Sequence, residues 1–341
     1  MIQIKKILVI NLAFIGDVLL ATPVFRGLRT AYPQATIDML VVPLTEPIAV
    51  GNPYVDRVFV YDKRGRHKHY GALYALIRQL RREHYDLSIS MNFAVRGVLL
   101  AWVSGIKRRV GYDRQHAAWF LTDIADSSRG AHQHETENHL AVLKPLGIDR
   151  PDTSLAFCVQ PADRESLARK VSFNGRPAIA ICPFGSYAKK SWSRPKYAQL
   201  LKIMADSYQC FLIGSGAERS GLEAIAVASG TAVRVLGGEL TLGELAAFLQ
   251  QLQLLITVDT GPMHLANAVR TPVVALFGPT DPRIWGPRGA SDQVVRAAAQ
   301  CSPCWGKGEC PEQRCMDQIE IADVEAAVQK VAGSILAKKD D

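Results

Sequence analysis

The sequence predicts an α/β protein made of two doubly wound parallel sheets, one in each of two domains. Three observations carry this. The 341 residues suffice for two α/β domains of ordinary size. Short apolar, β-branched runs, each followed by a helix-like stretch, recur in two separate series, the pattern of parallel strands covered on both faces. A proline-containing seam, "GIDRPDTSLAFCVQPADRESL", separates the two series. The boundary falls around residues 150–170, which gives domains 1–160 and 161–341.

In the first series the strands are Ile7–Leu12, Thr36–Val42, Arg57–Tyr61 and Leu87–Met91, with helices that include Ala72–Glu83 and Val95–Val103. In the second they are Ala178–Cys182, Cys210–Ile213, Val233–Leu236, Leu254–Val258 and Val273–Phe277. Helices fit Lys196–Ser207, Glu218–Ser229, Leu242–Gln250 and Met263–Val269. A last amphipathic stretch, about 322–337, is expected to pack back toward the first domain. Two such domains face to face would make a central cleft lined by strand C-terminal ends, where open α/β sheets bind ligands.

Composition narrows the class. Hydrophobic residues are 48% of the chain, so a large core is expected and wholesale disorder is excluded. A net charge of +8 favours an anionic partner without choosing among a phosphorylated ligand, nucleic acid and an acidic membrane surface. Nucleic acid is disfavoured because stacking aromatics are not interleaved with the basic runs, apart from Tyr70 and Trp119. Asn11 and Asp17 interrupt the first apolar run, which reads as strand, turn and helix rather than as a secretion signal. The apolar segment 97–106 is too short to span a bilayer. A soluble cytoplasmic protein is expected.

Candidate site residues cluster at strand ends. In "INLAFIGDVLLATP" the first strand hands over to a helix at Gly16 and Asp17. A carboxylate there either caps the helix or, ionised near a helix N-terminus, accepts a proton as general base. The turn lacks GxGxxG, so a dinucleotide fingerprint is not supported. "CPFGSYAKKSWSRPKYAQL" places Gly185, Ser186, Lys189 and Lys190 after a strand, either solvated or cradling a phosphate. "ITVDTGPMHLANA" brings Asp259, Thr260, Gly261 and His264 to a strand end and a helix start, a ready anion site. Thr280 and Asp281 of "LFGPTDPRIWGP" occupy one further such turn.

These stretches together, "GDVLLATPVFRGLRTAYP", "KKSWSRPKYAQL", "VDTGPMHLANA" and "FGPTDP" in this order, resemble the ADP-heptose:lipopolysaccharide heptosyltransferases, glycosyltransferase family 9. The resemblance runs end to end. It implies a GT-B fold, two Rossmann-like domains with the nucleotide sugar on the C-terminal one. It also implies an inverting transfer of heptose from ADP-L-glycero-D-manno-heptose to the lipopolysaccharide inner core, without a required cofactor. Asp17 matches the family's catalytic base and Lys190 the lysine that meets the donor diphosphate. Asp259, Thr260, Gly261 and His264 match the donor motif, Ser186 lies in the same donor loop, and Glu218 matches the acid on the ribose hydroxyls more loosely.

The basic stretch "KRGRHKHYGAL" offers Arg64, Arg66 and Lys68 for the acidic acceptor sugar, or forms a solvated loop, or touches anionic headgroups. Lys107, Arg108 and Arg109 form a second such stretch. The implied place of work is the cytoplasmic face of the inner membrane, in peripheral contact with it, with a lipid A-bearing acceptor. The cysteine-rich tail and "DTGPMHLA" look like the second heptosyltransferase subgroup. A family 9 enzyme that adds heptose to a protein or another polysaccharide is the alternative.

Seven cysteines remain. Cys158, Cys182 and Cys210 read as buried small residues. Cys301, Cys304, Cys310 and Cys315, spaced C-x2-C-x5-C-x4-C, hold a structural zinc or iron, or else stay reduced or pair as a disulfide.

Overall fold

The computed structural model describes residues 4–92, 94–126, 128, 133–149, 151–310 and 313–337. They form two compact units, Met1–Cys158 and Val159–Asp341.

The first unit runs β1 (Lys6–Asn11), α1 (Ile15–Leu20), α2 (Thr22–Ala31), β2 (Thr36–Val41), α3 (Glu46–Val50), β3 (Arg57–Val60), α4 (Tyr70–Arg82) and β4 (Leu87–Ser90). It continues with α5 (Val95–Val103), β5 (Arg108–Tyr112), β6 (Asp123–Ala125) and α6 (Glu135–Leu140). The second unit runs α7 (Pro161–Lys170), β7 (Ala178–Cys182), α8 (Arg194–Met204), β8 (Gln209–Leu212), α9 (Arg219–Ser229), β9 (Val233–Val235), α10 (Leu242–Leu249) and β10 (Leu254–Val258). It continues with α11 (Gly261–Ala268), β11 (Val273–Leu276), α12 (Pro282–Trp285), β12 (Gln293–Val295), α13 (Arg314–Asp317) and α14 (Ile321–Ala337).

Each unit carries one six-stranded sheet, ordered β3-β2-β1-β4-β5-β6 in the first and β12-β11-β10-β7-β8-β9 in the second. Every pairing is parallel. The two orders are the same doubly wound order, and in each the strand order reverses once: between β1 and β4, and between β7 and β10. Those reversals are the switch points at which such sheets open a crevice for a ligand.

The strands predicted from apolar runs match the observed ones to within a residue. Their central members β1, β7 and β10 are buried almost throughout, which is why continuous hydrophobicity marked them. Three strands escaped this signal. β5 opens on two arginines and contains Gly111, while β6 and β12 are three-residue edge strands.

Polar contacts that lock the first sheet are themselves buried. Asp38 on β2 is fully buried and accepts hydrogen bonds from Arg57 Nη2 (2.7 Å) and from the Tyr85 hydroxyl (2.6 Å). In the second unit, α14 sets Val324, Val328 and Val331 into a core with Trp192, Leu200 and Leu276. Cys182 and Cys210 are buried as expected, and burial pushes their thiols up to about 12 and about 11. Cys158 departs from expectation: it is exposed.

Candidate active site

In the first unit, Asp17 is the third residue of α1, directly after β1 at the switch point. The cap position falls on Phe14, whose side chain makes no capping hydrogen bond. Asp17 is therefore not the helix cap, and its half-buried carboxylate lines a cavity of about 90 Å³. The other walls are Ala13, Met91, Asn92, Tyr112, Glu135, Asn138 and His139. Asn92, in the loop after β4, holds the β1–α1 loop in place. Its Oδ1 accepts from Leu12 N (2.5 Å) and its Nδ2 donates to Asn11 Oδ1 (3.1 Å). Glu135 and His139, both buried, face each other one helical turn apart on α6, with His139 Nε2 4.0 Å from Glu135 Oε1.

The basic loop before α4 is also in this unit. Asp62 organises it, accepting from Gly65 N (2.8 Å) and Arg66 N (3.0 Å), and these backbone bonds hold its carboxyl below the usual carboxylate range. A side chain at position 65 would force the Asp62 carboxylate to move, so Gly65 lets that carboxylate approach the loop backbone. Arg64, Arg66 and Lys68 stand exposed around the loop, and among the described residues none of them forms an ion pair. Arg108 and Arg109 behave differently. Arg108 pairs with Asp123 (2.9 Å), and the Arg109 guanidinium donates to the backbone carbonyls of Ile106, Lys107 and Phe120. They tie β5 to β6 and to the adjoining loops, so these two arginines are structural.

In the second unit, β7 and β10 deliver Lys190 and Asp259 to one place. The Lys190 ammonium lies 2.8 Å from Asp259 Oδ2 and donates to the Asp259 carbonyl oxygen at 3.2 Å. Both side chains are largely buried, and the Tyr187 ring packs 5.1 Å from the same ammonium. Thr260 precedes α11 without capping it through its side chain, Gly261 opens the helix, and His264 is buried in its first turn. Ser186 is exposed in the loop after β7.

Glu218 belongs to the turn after β8. Its Oε2 accepts from Ser215 N (2.6 Å) and Ser215 Oγ (2.8 Å), a capping box that starts the helical run into α9. It also lines a cavity of about 470 Å³ with Gly185, Trp192 and Arg194, a volume in the range of small-ligand sites. Lys190 and Asp259 do not line that cavity. Asp281 is a helix cap: its carboxylate accepts from Arg283 N (2.9 Å) and pairs with the Arg283 guanidinium.

The four clustered cysteines share one neighbourhood, since burial and the nearby Cys301, Cys304 and Cys310 push the Cys315 thiol up. They do not form a ligand set. Cys315 is buried on α13 beside Met316 while Cys301 is exposed, and among the described residues no three His, Cys, Asp or Glu side chains are placed to hold a metal ion. The predicted metal centre is not supported by this geometry.

Sequence reasoning missed Asn92, Tyr112, Glu135 and His139. The i, i+4 spacing in "HETENH" was the available signal for the last two. Among the described residues no helix is long and apolar enough to cross a membrane.

Comparison with known proteins agrees with the architecture. The model of glycosyltransferase family 9 (heptosyltransferase) matches residues 73–315. Lipopolysaccharide heptosyltransferase 3 of Escherichia coli is 30% identical, over 94% of this chain and 97% of its own length. A family 9 glycosyl transferase from Veillonella parvula superposes with a TM-score of 0.86 at 24% identity, over 96% of this chain and 97% of that one. The E. coli ADP-heptose LPS heptosyltransferase II does so with a TM-score of 0.82 at 23% identity, over 99% and 100%. These two show the fold, two doubly wound sheets of the GT-B kind. With the family match spanning residues 73–315, most of the chain, the protein belongs to glycosyltransferase family 9, the heptosyltransferases.

Proposed function

We propose that this glycosyltransferase moves heptose from ADP-L-glycero-D-manno-heptose to the inner core of lipopolysaccharide, with inversion and with Asp17 as general base. The observation that carries the reading is the placement of Asp17 at the switch point of the first sheet, with its carboxylate lining a polar cavity and the cap position of its helix falling on Phe14. The relatives' names, heptosyltransferases of lipopolysaccharide, supply the substrate class.

In this mechanism Asp17 takes the proton of the acceptor hydroxyl as its oxygen attacks the anomeric carbon. The bond from that carbon to the diphosphate oxygen breaks, and the electron pair leaves on ADP. One displacement inverts the centre, so no glycosyl-enzyme is needed. Lys190 and the first N–H groups of α11 offer positive potential to the leaving diphosphate, which is where such a reaction accumulates charge. Asp259, Thr260, Gly261 and His264 frame that end, with Ser186 and Glu218 on the loops beside it. Arg64, Arg66 and Lys68 receive the acidic acceptor sugar. A membrane-embedded acceptor places the work at the cytoplasmic face of the inner membrane, in keeping with the net charge of +8.

The test is ADP release from purified protein and ADP-heptose, with and without a Kdo-bearing lipid A acceptor. Acceptor-dependent release that falls by several powers of ten in Asp17→Asn, with donor binding retained, is the expected result. Full activity in that variant removes the base assignment. Release with a protein or another polysaccharide in place of the lipid acceptor would move the enzyme to that acceptor class.

A further inference from the structure

Two carboxylates and an imidazole line one cavity of about 90 Å³ in the first unit: Asp17 from α1, and Glu135 and His139 from α6. The volume is that of a few water molecules, enough for one hydroxyl-bearing edge of a sugar. Glu135 and His139 are 2% and 8% exposed, and such groups stay buried only when paired and hydrogen-bonded. Glu135 has such a hydrogen bond, and its contact with His139 is longer than a hydrogen bond. Glu135 Oε2 accepts from Asn138 Nδ2 (3.0 Å), and Oε1 lies 4.0 Å from His139 Nε2. The Tyr112 hydroxyl donates to the carbonyls of Asn138 (2.8 Å) and His139 (3.3 Å), and the ring nitrogen Nδ1 of His134 accepts from Thr136 N (3.3 Å) at the start of the helix. The short helix is thus anchored at both ends, which fixes Glu135 and His139 against the wall that Asp17 shares.

We propose that Glu135 and His139 are positioning residues for Asp17: the imidazolium, held by Glu135, is the countercharge that keeps the Asp17 carboxylate ionised and ready to take the acceptor proton. Two carboxylates sharing a small cavity resist joint ionisation, and a cation lining the same cavity relieves it. The role of Asp17 as base rests on the proposed function, but the electrostatic coupling of the three groups does not.

Among the described residues, these titratable groups surround His139. Asp17 faces it from α1, Tyr112 from β5, and Glu135 from its own helix, with His134 and Glu137 flanking; Met91 and Asn92, from the loop after β4, do not titrate. On α2, which also packs on α6, Arg26 and Arg29 are bound to Asp152 and Asp56. Lys144, just beyond α6, is exposed.

The experiment follows the imidazole resonances of His139 by NMR across pH, in the full chain without substrate, for the unsubstituted protein and for Asp17→Asn and Glu135→Gln. Assignment rests on His139→Gln. Because neighbouring anions favour the protonated imidazole, each of the two substitutions is expected to lower the midpoint, by about one pH unit or more. In parallel, turnover is read against pH for His139→Gln. Loss of the countercharge is expected to move the acid limb of the rate profile upward while donor KM stays unchanged. A midpoint indifferent to Asp17→Asn overturns the proposal, as does a His139→Gln enzyme with an unchanged acid limb. If no heptose transfer is detected in the unsubstituted protein, the proposed function fails while the NMR result still decides the coupling.

Discussion

Lys190 and Asp259 are joined twice, through the carboxylate at 2.8 Å and the backbone carbonyl at 3.2 Å, across the point where the strand order of the second sheet reverses. The first sheet has a counterpart at its own reversal, where Asn92 binds both Leu12 N and Asn11 Oδ1. In each unit, then, the loops that follow the two central strands are tied together by a polar side chain. A doubly wound sheet leaves a crevice there because the helices on either side of the reversal leave toward opposite faces. Residues that reach into the crevice must be held by polar contacts.

Because the pair is largely buried, removing the lysine alone strands a carboxylate. Lys190→Met is expected to lower stability by about 3 kcal/mol and to weaken ADP binding at least tenfold. Lys190→Met/Asp259→Asn is expected to regain most of the stability and none of the ADP affinity. Urea unfolding and calorimetric titration with ADP check the two halves separately. Recovery of ADP binding in the double variant would show that the lysine matters only as a partner for Asp259.

Glu244 supplies an acid-sensitive lock. Burial alone would raise its carboxyl, but the Lys170 ammonium (2.7 Å), the Ser166 hydroxyl (2.6 Å) and Thr241 N (2.7 Å) outweigh burial and hold it at about 2. A folded value below the unfolded one means stability that is present above the unfolded value, near 4.3, and lost as pH falls toward 2. Glu244→Gln is expected to cost about 2 kcal/mol at pH 7 and progressively less below pH 4. Equal losses at pH 7 and pH 3 in urea unfolding would contradict the linkage.

Asp38 tests the buried lock of the first sheet. Its carboxylate serves both Arg57 and Tyr85, so Asp38→Ala leaves the buried Tyr85 hydroxyl without its acceptor, at about 1–3 kcal/mol. Tyr85→Phe leaves the Arg57 pair intact and is expected to cost less, about 0.5–1.5 kcal/mol. The order of the two midpoints in denaturant is the measurement, and a reversed order would show that the Tyr85 hydroxyl stabilises the fold through something other than Asp38.

What could be read from the sequence follows from how each residue is held. Asp259 directly follows a continuous apolar strand, and Asp17 and Lys190 lie in the segments that follow two others, so the strands and the stretches after them were visible. β5 was hidden because Arg108 and Arg109 present a basic run that looks like a ligand patch until their partners, Asp123 and the loop carbonyls, are seen. α6 was hidden because "HETENH" has no apolar period; its burial depends on long-range polar contacts, such as that of Tyr112 with Asn138 and His139. The cysteine spacing was legible, whereas the direction of each thiol was not, and Cys315 is turned into the core beside Met316.

The basic loop separates charge from shape. Arg64, Arg66 and Lys68 are exposed and unpaired among the described residues, so replacing all three with alanine is expected to leave stability within about 0.5 kcal/mol. If these side chains receive an acidic acceptor, the triple variant raises acceptor KM and flattens its dependence on ionic strength, because exposed charges act through a screened field. Asp62→Ala removes the bonds to Gly65 N and Arg66 N and loosens the loop while all three cations remain. That variant is expected to raise acceptor KM with its salt dependence intact. Steady-state kinetics at two ionic strengths distinguish the cases, and a triple variant with unchanged acceptor KM would reduce the loop to a solvated surface.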